Sequence, residues 1–177
     1  MKFKLFALVI LILIGIQSTL FSQTKVGYTN VELIMAYMPQ VKEVDQKLGT
    51  YRKQLSKKIR IKQEYYQVKL SEYSQKAQAN GFASQNQQKE EEASLIKIQE
   101  EIQKLSTESE LQLAQRQQEL LNPIMTLIQD KINEVAKEGN YTYILNQTTG
   151  MNLLYGLETM NVTDELAAKL GITIPKN

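Results

Sequence analysis

The sequence predicts a mainly helical α+β protein, in which a long antiparallel helical hairpin is inserted between short strands from the two ends of the chain. Gln, Lys, Glu and Leu are plentiful, whereas the 177 residues include only 8 Gly and 3 Pro, too few for a loop-rich β fold. Apolar residues recur at helical spacing on both sides of one turn signal. Segments rich in aromatic and β-branched residues lie near the two ends of the chain.

The composition excludes most familiar catalytic sites. The chain has no Cys and no His, so it can form no disulfide, thiolate nucleophile or Cys-ligated metal site. Without His, the chain also lacks the commonest general base and the commonest metal ligand. We therefore expect no enzyme, no cofactor and no bound metal. A hydrolase that uses carboxylates alone survives this filter, but no segment predicts a cleft in which two acids converge.

Residues 1–22 have the pattern of a secretory signal peptide. Lys2 and Lys4 precede an apolar run at residues 5–16, and a short polar stretch follows. The run has 12 residues, and about 20 are needed to span a bilayer. We expect cleavage near Ser22 and export to the periplasm. An uncleaved membrane anchor is the alternative, and mass spectrometry of the mature N-terminus separates the two.

Removal of the leader also changes the charge. The 21 basic residues fall to 19 because Lys2 and Lys4 leave, and 19 acidic residues remain. The mature chain therefore has no net formal charge, and its charge gives no reason to expect nucleic-acid binding.

Residues 23–38 predict the first part of a small body. Residues 25–30 alternate in the manner of a strand, with Val26 and Tyr28 on one face. Asn30 can cap a short helix that continues to Met38. Pro39 then forces a break or a fresh helix start.

Residues 39–138 predict the helical hairpin, with its tip near residues 80–84. Apolar residues are spaced by three and four positions in both stretches, although the pattern weakens at residues 106–112. Asn80-Gly81 is a good helix end, and Ser84 with Gln87 resembles a capping box for the second helix. Each helix should be about 60–80 Å long at 1.5 Å per residue. Pro123 should remove one backbone bond and bend the second helix.

The two stretches of the hairpin carry opposite net charges. Residues 39–79 include ten basic and four acidic residues, a net charge of +6. Residues 84–138 include six basic and eleven acidic residues, a net charge of −5. Single exposed ion pairs add only about 0–1 kcal/mol each. The asymmetry therefore predicts the antiparallel pairing and its register more than a large gain in stability.

Residues 139–177 predict the second part of the body. Gly139 and Asn140 end the hairpin, and residues 141–146 and 151–155 each predict a strand. Thr163 should cap a short helix that ends before Gly171. Three short strands bury little core, so we expect an oligomer built through this sheet. The expected oligomerisation residues are Val26, Tyr28, Ile34, Tyr141, Tyr143, Ile144, Leu145, Leu153 and Tyr155.

The pattern is similar to the Skp (OmpH) family of periplasmic chaperones from Lys25 to about Ile172. The likeness is carried by the opening strand and helix before Met38-Pro39, by the hairpin, and by the closing block at residues 135–146 and 161–166. It implies a homotrimer whose small β-barrel-type body holds three hairpins around a cavity. It also implies an ATP-independent holdase that keeps unfolded outer-membrane proteins soluble for membrane insertion. A membrane surface or lipopolysaccharide is a further partner that the resemblance implies. The family's best-known members are strongly basic, unlike this mature chain.

A holdase must bind many sequences weakly, which scattered apolar and aromatic groups around a cavity can achieve by multivalency. The apolar candidates are Tyr65, Tyr66, Leu70, Tyr73 and Phe82. The basic candidates are Arg52, Lys53, Lys57, Lys58, Arg60 and Lys62. The alternatives stay open: Tyr66, Leu70 and Tyr73 can fill the seam between the helices, and the basic residues can form a solvated face paired with the acidic stretch. The runner-up function is a structural coiled-coil scaffold of the envelope, anchored by an uncleaved N-terminal helix.

Overall fold

The computed structural model describes residues 24–148 and 153–175, so the expected leader lies outside the described residues. The predicted fold class is confirmed: in chain order, two long helices come between the two strands of a small sheet. The elements, in chain order, are β1 (Val26–Thr29), α1 (Val31–Tyr37), α2 (Pro39–Gln78), α3 (Gln85–Glu138), β2 (Tyr143–Asn146), a 3₁₀ turn (Glu158–Met160) and α4 (Thr163–Lys169).

Helices α2 and α3 form the arm of the molecule. They contain 40 and 54 residues, which corresponds to about 60 Å and 80 Å of helix. Side chains at heptad spacing are buried along the arm, among them Val44 and Leu55 on α2 and Ile98 and Ile124 on α3. Helix α3 runs unbroken through Pro123, although a proline has no N–H to donate to the carbonyl one turn earlier.

The tip of the arm forms as the sequence predicts. Asn80 has a left-handed φ of 48°, and the Gly81 N–H donates to the Lys76 carbonyl at 2.8 Å, which closes a Schellman motif. The Ser84 hydroxyl accepts a bond from the Gln87 N–H at 3.1 Å. In return, the Ala83 N–H donates to the Gln87 side-chain oxygen at 2.7 Å. These local bonds end one helix and start the next within six residues of chain.

The sheet has two parallel strands within the described residues, with Val26 paired to Tyr143 and Thr29 paired to Asn146. Parallel strands need a crossover connection, and here the crossover is α1 together with the whole arm. The strands from the two ends of the sequence therefore fix both roots of the arm in one body.

The prediction of a strand at residues 151–155 is wrong for residues 153–155, the part that the structure describes. Residues 153–157 have no regular structure, and residues 151–152 lie outside the described residues. The second edge of β1 is occupied by Asn161, which bridges to Tyr28, and the Val162 N–H donates to the Tyr28 carbonyl at 2.9 Å. A third strand consequently finds no free edge of β1 on which to pair.

The core of the body lies where α1, the roots of the arm and α4 meet. Its fully buried side chains include Ile34, Ile128, Val135, Val162 and Leu166. The contacts join residues from the start, the middle and the end of the chain. The core therefore holds the base of the arm at a fixed place on the body.

Thr163 does not cap α4, which corrects the prediction. Its hydroxyl accepts a bond from the Asn30 N–H at 3.1 Å, and the Thr163 N–H donates to the Asn161 side chain at 3.1 Å. Asn30 caps α1 as predicted, by accepting a bond from the Leu33 N–H at 2.9 Å. Thr163 therefore joins the last helix to the first one.

Candidate functional site on the arm

The described residues contain no group of three or more His, Cys, Asp and Glu that could hold a metal ion. Within the same ranges, no helical segment has the length and hydropathy of a membrane span. Each of their buried side-chain nitrogen and oxygen atoms has a hydrogen-bond partner. The features that stand out are apolar and charged side chains on the surface of the arm and of the body.

An apolar stripe lies on the solvent side of α2. Ile61, Tyr65 and Val68 are 53%, 46% and 55% exposed, and spacings of four and three place them on one face of the helix. We name these three residues the outer stripe. The ammonium groups of Lys62 and Lys69 lie 5.8 Å and 5.9 Å from the Tyr65 ring centre, within cation–π range. The stripe thus combines aliphatic, aromatic and cationic contacts.

Only Tyr65 of the outer stripe was among the sequence candidates. Ile61 and Val68 were missed because the seam residues of the same helix gave the stronger apolar repeat. A second repeat, offset from the seam and spaced by four and three, is the signal that finds them. The other aromatic candidates on the arm lie elsewhere on its surface.

Tyr66, Leu70 and Tyr73 are half-buried on α2. The Tyr73 hydroxyl donates to Glu92 of α3 at 2.5 Å, and this bond is the main cause of a raised Tyr73 pKa. The half-buried Phe82 ring lies 5.3 Å from the Tyr73 ring. Tyr73 and Phe82 are therefore engaged in holding the tip together and present less surface to a ligand than Tyr65 does.

The basic candidates divide into paired and unpaired groups. Lys62 forms an ion pair with Glu101 of α3 at 2.5 Å, and its hydrogen bond lowers the Glu101 pKa. Arg60 lies 3.7 Å from Glu64 of its own helix. The remaining four are exposed and have no acidic partner within 4 Å among residues 24–148 and 153–175: Arg52, Lys53, Lys57 and Lys58.

The body carries a second exposed apolar surface. Val26, Tyr143 and Leu145 of the sheet are 38%, 61% and 39% exposed, and Tyr155 is 79% exposed. Leu154 and Leu157, which are not among the expected oligomerisation residues, are 93% and 54% exposed. The other expected oligomerisation residues are less available, because Tyr28 and Ile34 are buried within the chain and Tyr141, Ile144 and Leu153 are half-buried.

Comparison with protein families identifies a match over residues 25–170, to the family described as outer membrane protein (OmpH-like). The chain belongs to the OmpH-like family. No curated protein matches the chain. The resemblance drawn from the sequence is thus confirmed. The OmpH-like family is a family of chaperones and not of enzymes, and membership suggests a periplasmic chaperone of outer-membrane proteins.

Proposed function

We propose that this OmpH-like chain is an ATP-independent holdase, which binds unfolded outer-membrane proteins between the arms of a homotrimer and keeps them soluble for insertion. The observation that carries the proposal is the outer stripe, an exposed set of apolar residues flanked by lysines on a long arm. We propose also that the leader is cleaved near Ser22, so that the chaperone acts in the periplasm.

The size of the outer stripe suits reversible capture. Complete burial of one aliphatic or aromatic side chain contributes about 1.5–3 kcal/mol, and ordering a flexible client offsets part of that gain. One arm would therefore hold a client weakly. Several arms around the same client raise the overall affinity by multivalency without new kinds of contact. Release then needs no fuel, because each contact breaks by itself.

The exposed surface of the body supports an oligomer, and the resemblance to the family gives its order as three. Val26, Tyr143 and Leu145 lie on the two strands, and Tyr155 lies on the irregular segment after them. A two-stranded sheet is marginally stable by itself, and an apolar surface exposed around it favours association with other copies. We propose that these residues meet their counterparts in neighbouring copies and close the small sheets into a barrel-type body.

The holdase proposal is tested by diluting a urea-unfolded outer-membrane β-barrel protein into buffer and following its aggregation by light scattering. We expect the full-length mature protein to suppress scattering at equimolar amounts without ATP. Serine at all three positions of the outer stripe should weaken this protection. Leu111→Ser is the control, because Leu111 is 59% exposed on the other helix of the arm.

Two results would overturn the proposal. Unchanged aggregation with the wild-type protein would remove the holdase function, and full protection by the triple serine variant would remove the role of the outer stripe. An intact Met1 on the exported protein would instead favour the anchored coiled-coil scaffold. Vesicles with anionic lipid or lipopolysaccharide test the remaining partner, for which the unpaired Arg52, Lys53, Lys57 and Lys58 are the expected contacts.

A further inference from the structure

The two helices of the arm each carry a second heptad-spaced face besides the seam. On α2 this face is made of Gln54, Lys58, Ile61, Tyr65 and Val68, which includes the outer stripe. On α3 it is made of Ile96, Glu100, Gln103, Thr107 and Glu110. All ten residues are exposed, and the spacing of four and three in both sets is the spacing that lets one helix pack along another.

The two faces are complementary in charge. The α2 face and its flanks hold the unpaired bases Arg52, Lys53 and Lys58, whereas the α3 face holds Glu100 and Glu110, which have no ion pair among the described residues. This follows the +6 and −5 net charges of the two stretches. Within one arm, few of those charges pair across the seam. In the described ranges, the ion pairs between α2 and α3 are Lys62 with Glu101 and Lys76 with Glu91.

The faces also match in level along the arm. Tyr51 donates to Gln112 across the seam and Lys62 pairs with Glu101, so positions 52 and 53 of α2 stand level with positions 110 and 111 of α3. By the same count, Val68 stands level with Leu95, next to Ile96. Arms that leave a common body in one direction would keep these levels, since α2 of one copy would run antiparallel to α3 of the next.

We infer that, in the absence of a client, the outer stripe of one copy docks on the α3 face of a neighbouring copy, with Val68 near Ile96 and Arg52 and Lys53 near Glu110. The inference rests on the proposed oligomer. The occupant is a second copy because this chain itself supplies the complementary charges at the matching levels. The empty chaperone then covers its own apolar contacts, and a client must displace the neighbouring arm in order to bind.

The absence of Cys from the chain makes a direct test simple. Two differently tagged full-length chains, one with Val68→Cys and one with Ile96→Cys, are co-expressed and oxidised, and crosslinked pairs are read on a denaturing gel. A disulfide between the two tags joins different copies. We expect this mixed pair to form several-fold more than the Val68→Cys and Ile96→Cys same-tag pairs.

The dependence on salt and client completes the test. The mixed pair should decline when salt rises from about 0.1 M to about 1 M, as the screening length falls from about 10 Å to about 3 Å, and it should decline when an unfolded client is added. Equal yields of mixed and same-tag pairs, or a mixed pair indifferent to salt and client, would overturn the inference. Client protection is measured separately by light scattering, so a failed crosslink leaves the holdase result readable.

Discussion

At the scale of single residues, the joint between body and arm depends on the Tyr141 ring. The Lys25 ammonium lies 4.0 Å from the ring centre and donates to the Gly139 carbonyl at 2.7 Å. A Cβ on Gly139 would clash with one edge of the Tyr141 ring. A Cβ on Gly27 would lie 2.9 Å from the opposite edge of the same ring. Two glycines thus let an aromatic ring close the gap between β1 and the end of α3.

Gly139→Ala should therefore destabilise the protein. The added methyl group would push the Tyr141 ring off the Lys25 ammonium, at a cost of about 1–3 kcal/mol for an overpacked site. Gly49→Ala is the matched control, because nothing lies within 4 Å of a Cβ there and alanine favours the helix by about 0.5–1 kcal/mol. Urea unfolding at one protein concentration measures both, and equal midpoints for the two variants would contradict this account.

Short-range chemistry at single residues was predictable, and long-range chemistry was not. The caps at Asn30 and Ser84 need only residues three positions apart, so the sequence reveals them. Thr163 has the sequence context of a cap, yet its hydroxyl bonds the Asn30 N–H 133 residues away. Only the assembled core places those two groups side by side.

At the scale of elements, the seam was predictable because its apolar residues repeat at heptad spacing. The sequence does not predict the outer stripe as a unit, because only Tyr65 of its three residues is among the candidates for client binding. The strand expected at residues 151–155 failed in its described part for a different reason. Leu153, Leu154 and Tyr155 have suitable side chains, but β1 already contacts β2 on one edge and Asn161 on the other.

The ion pair between Lys62 and Glu101 makes the arm sensitive to acid. The hydrogen bond from Lys62 lowers the Glu101 pKa in the folded arm, so the pair stabilises the arm above the ordinary glutamate pKa of about 4.3 and this contribution is lost as the pH falls through the folded-state value. Glu101→Gln should therefore lower the melting temperature at pH 7.

The difference between wild type and Glu101→Gln should close as the pH falls from the ordinary glutamate pKa of about 4.3 through the lower folded-state pKa, where the wild-type carboxylate becomes protonated as well. Glu90→Gln is the control on the same helix, since Glu90 is exposed and has no ion pair among the described residues. Thermal unfolding followed by circular dichroism measures the difference. A gap that stays constant from pH 7 to about pH 3 would show that the ion pair is not its cause.

At the scale of the whole molecule, the body divides into an inner core and an outer apolar surface. The sequence indicated which residues are apolar but not which of them the chain covers itself. Ile34 is fully buried whereas Tyr143 is 61% exposed, although both were expected at the oligomer interface. The difference arises from tertiary packing, because α1 lies over the root of the arm and β2 lies at the edge of the sheet.

Tyr143→Asp should consequently separate assembly from folding. A carboxylate placed in an apolar interface carries a desolvation cost that the free chain avoids, so the oligomer should dissociate while the helix content stays unchanged. Ile34→Ala should do the opposite, by lowering the free energy of unfolding by about 2–5 kcal/mol through a core cavity. Circular dichroism and sedimentation velocity on both variants distinguish these effects, and loss of helix in Tyr143→Asp would contradict the assignment.

The most direct test of the central claim, that exposed body residues join several copies whose arms enclose a client, is the molar mass of the purified mature protein by light scattering. We predict about three times the mass of one chain, as expected for a trimer built on the exposed sheet. A stable particle with the mass of a single chain, and no larger complex after addition of an unfolded outer-membrane protein, would contradict it.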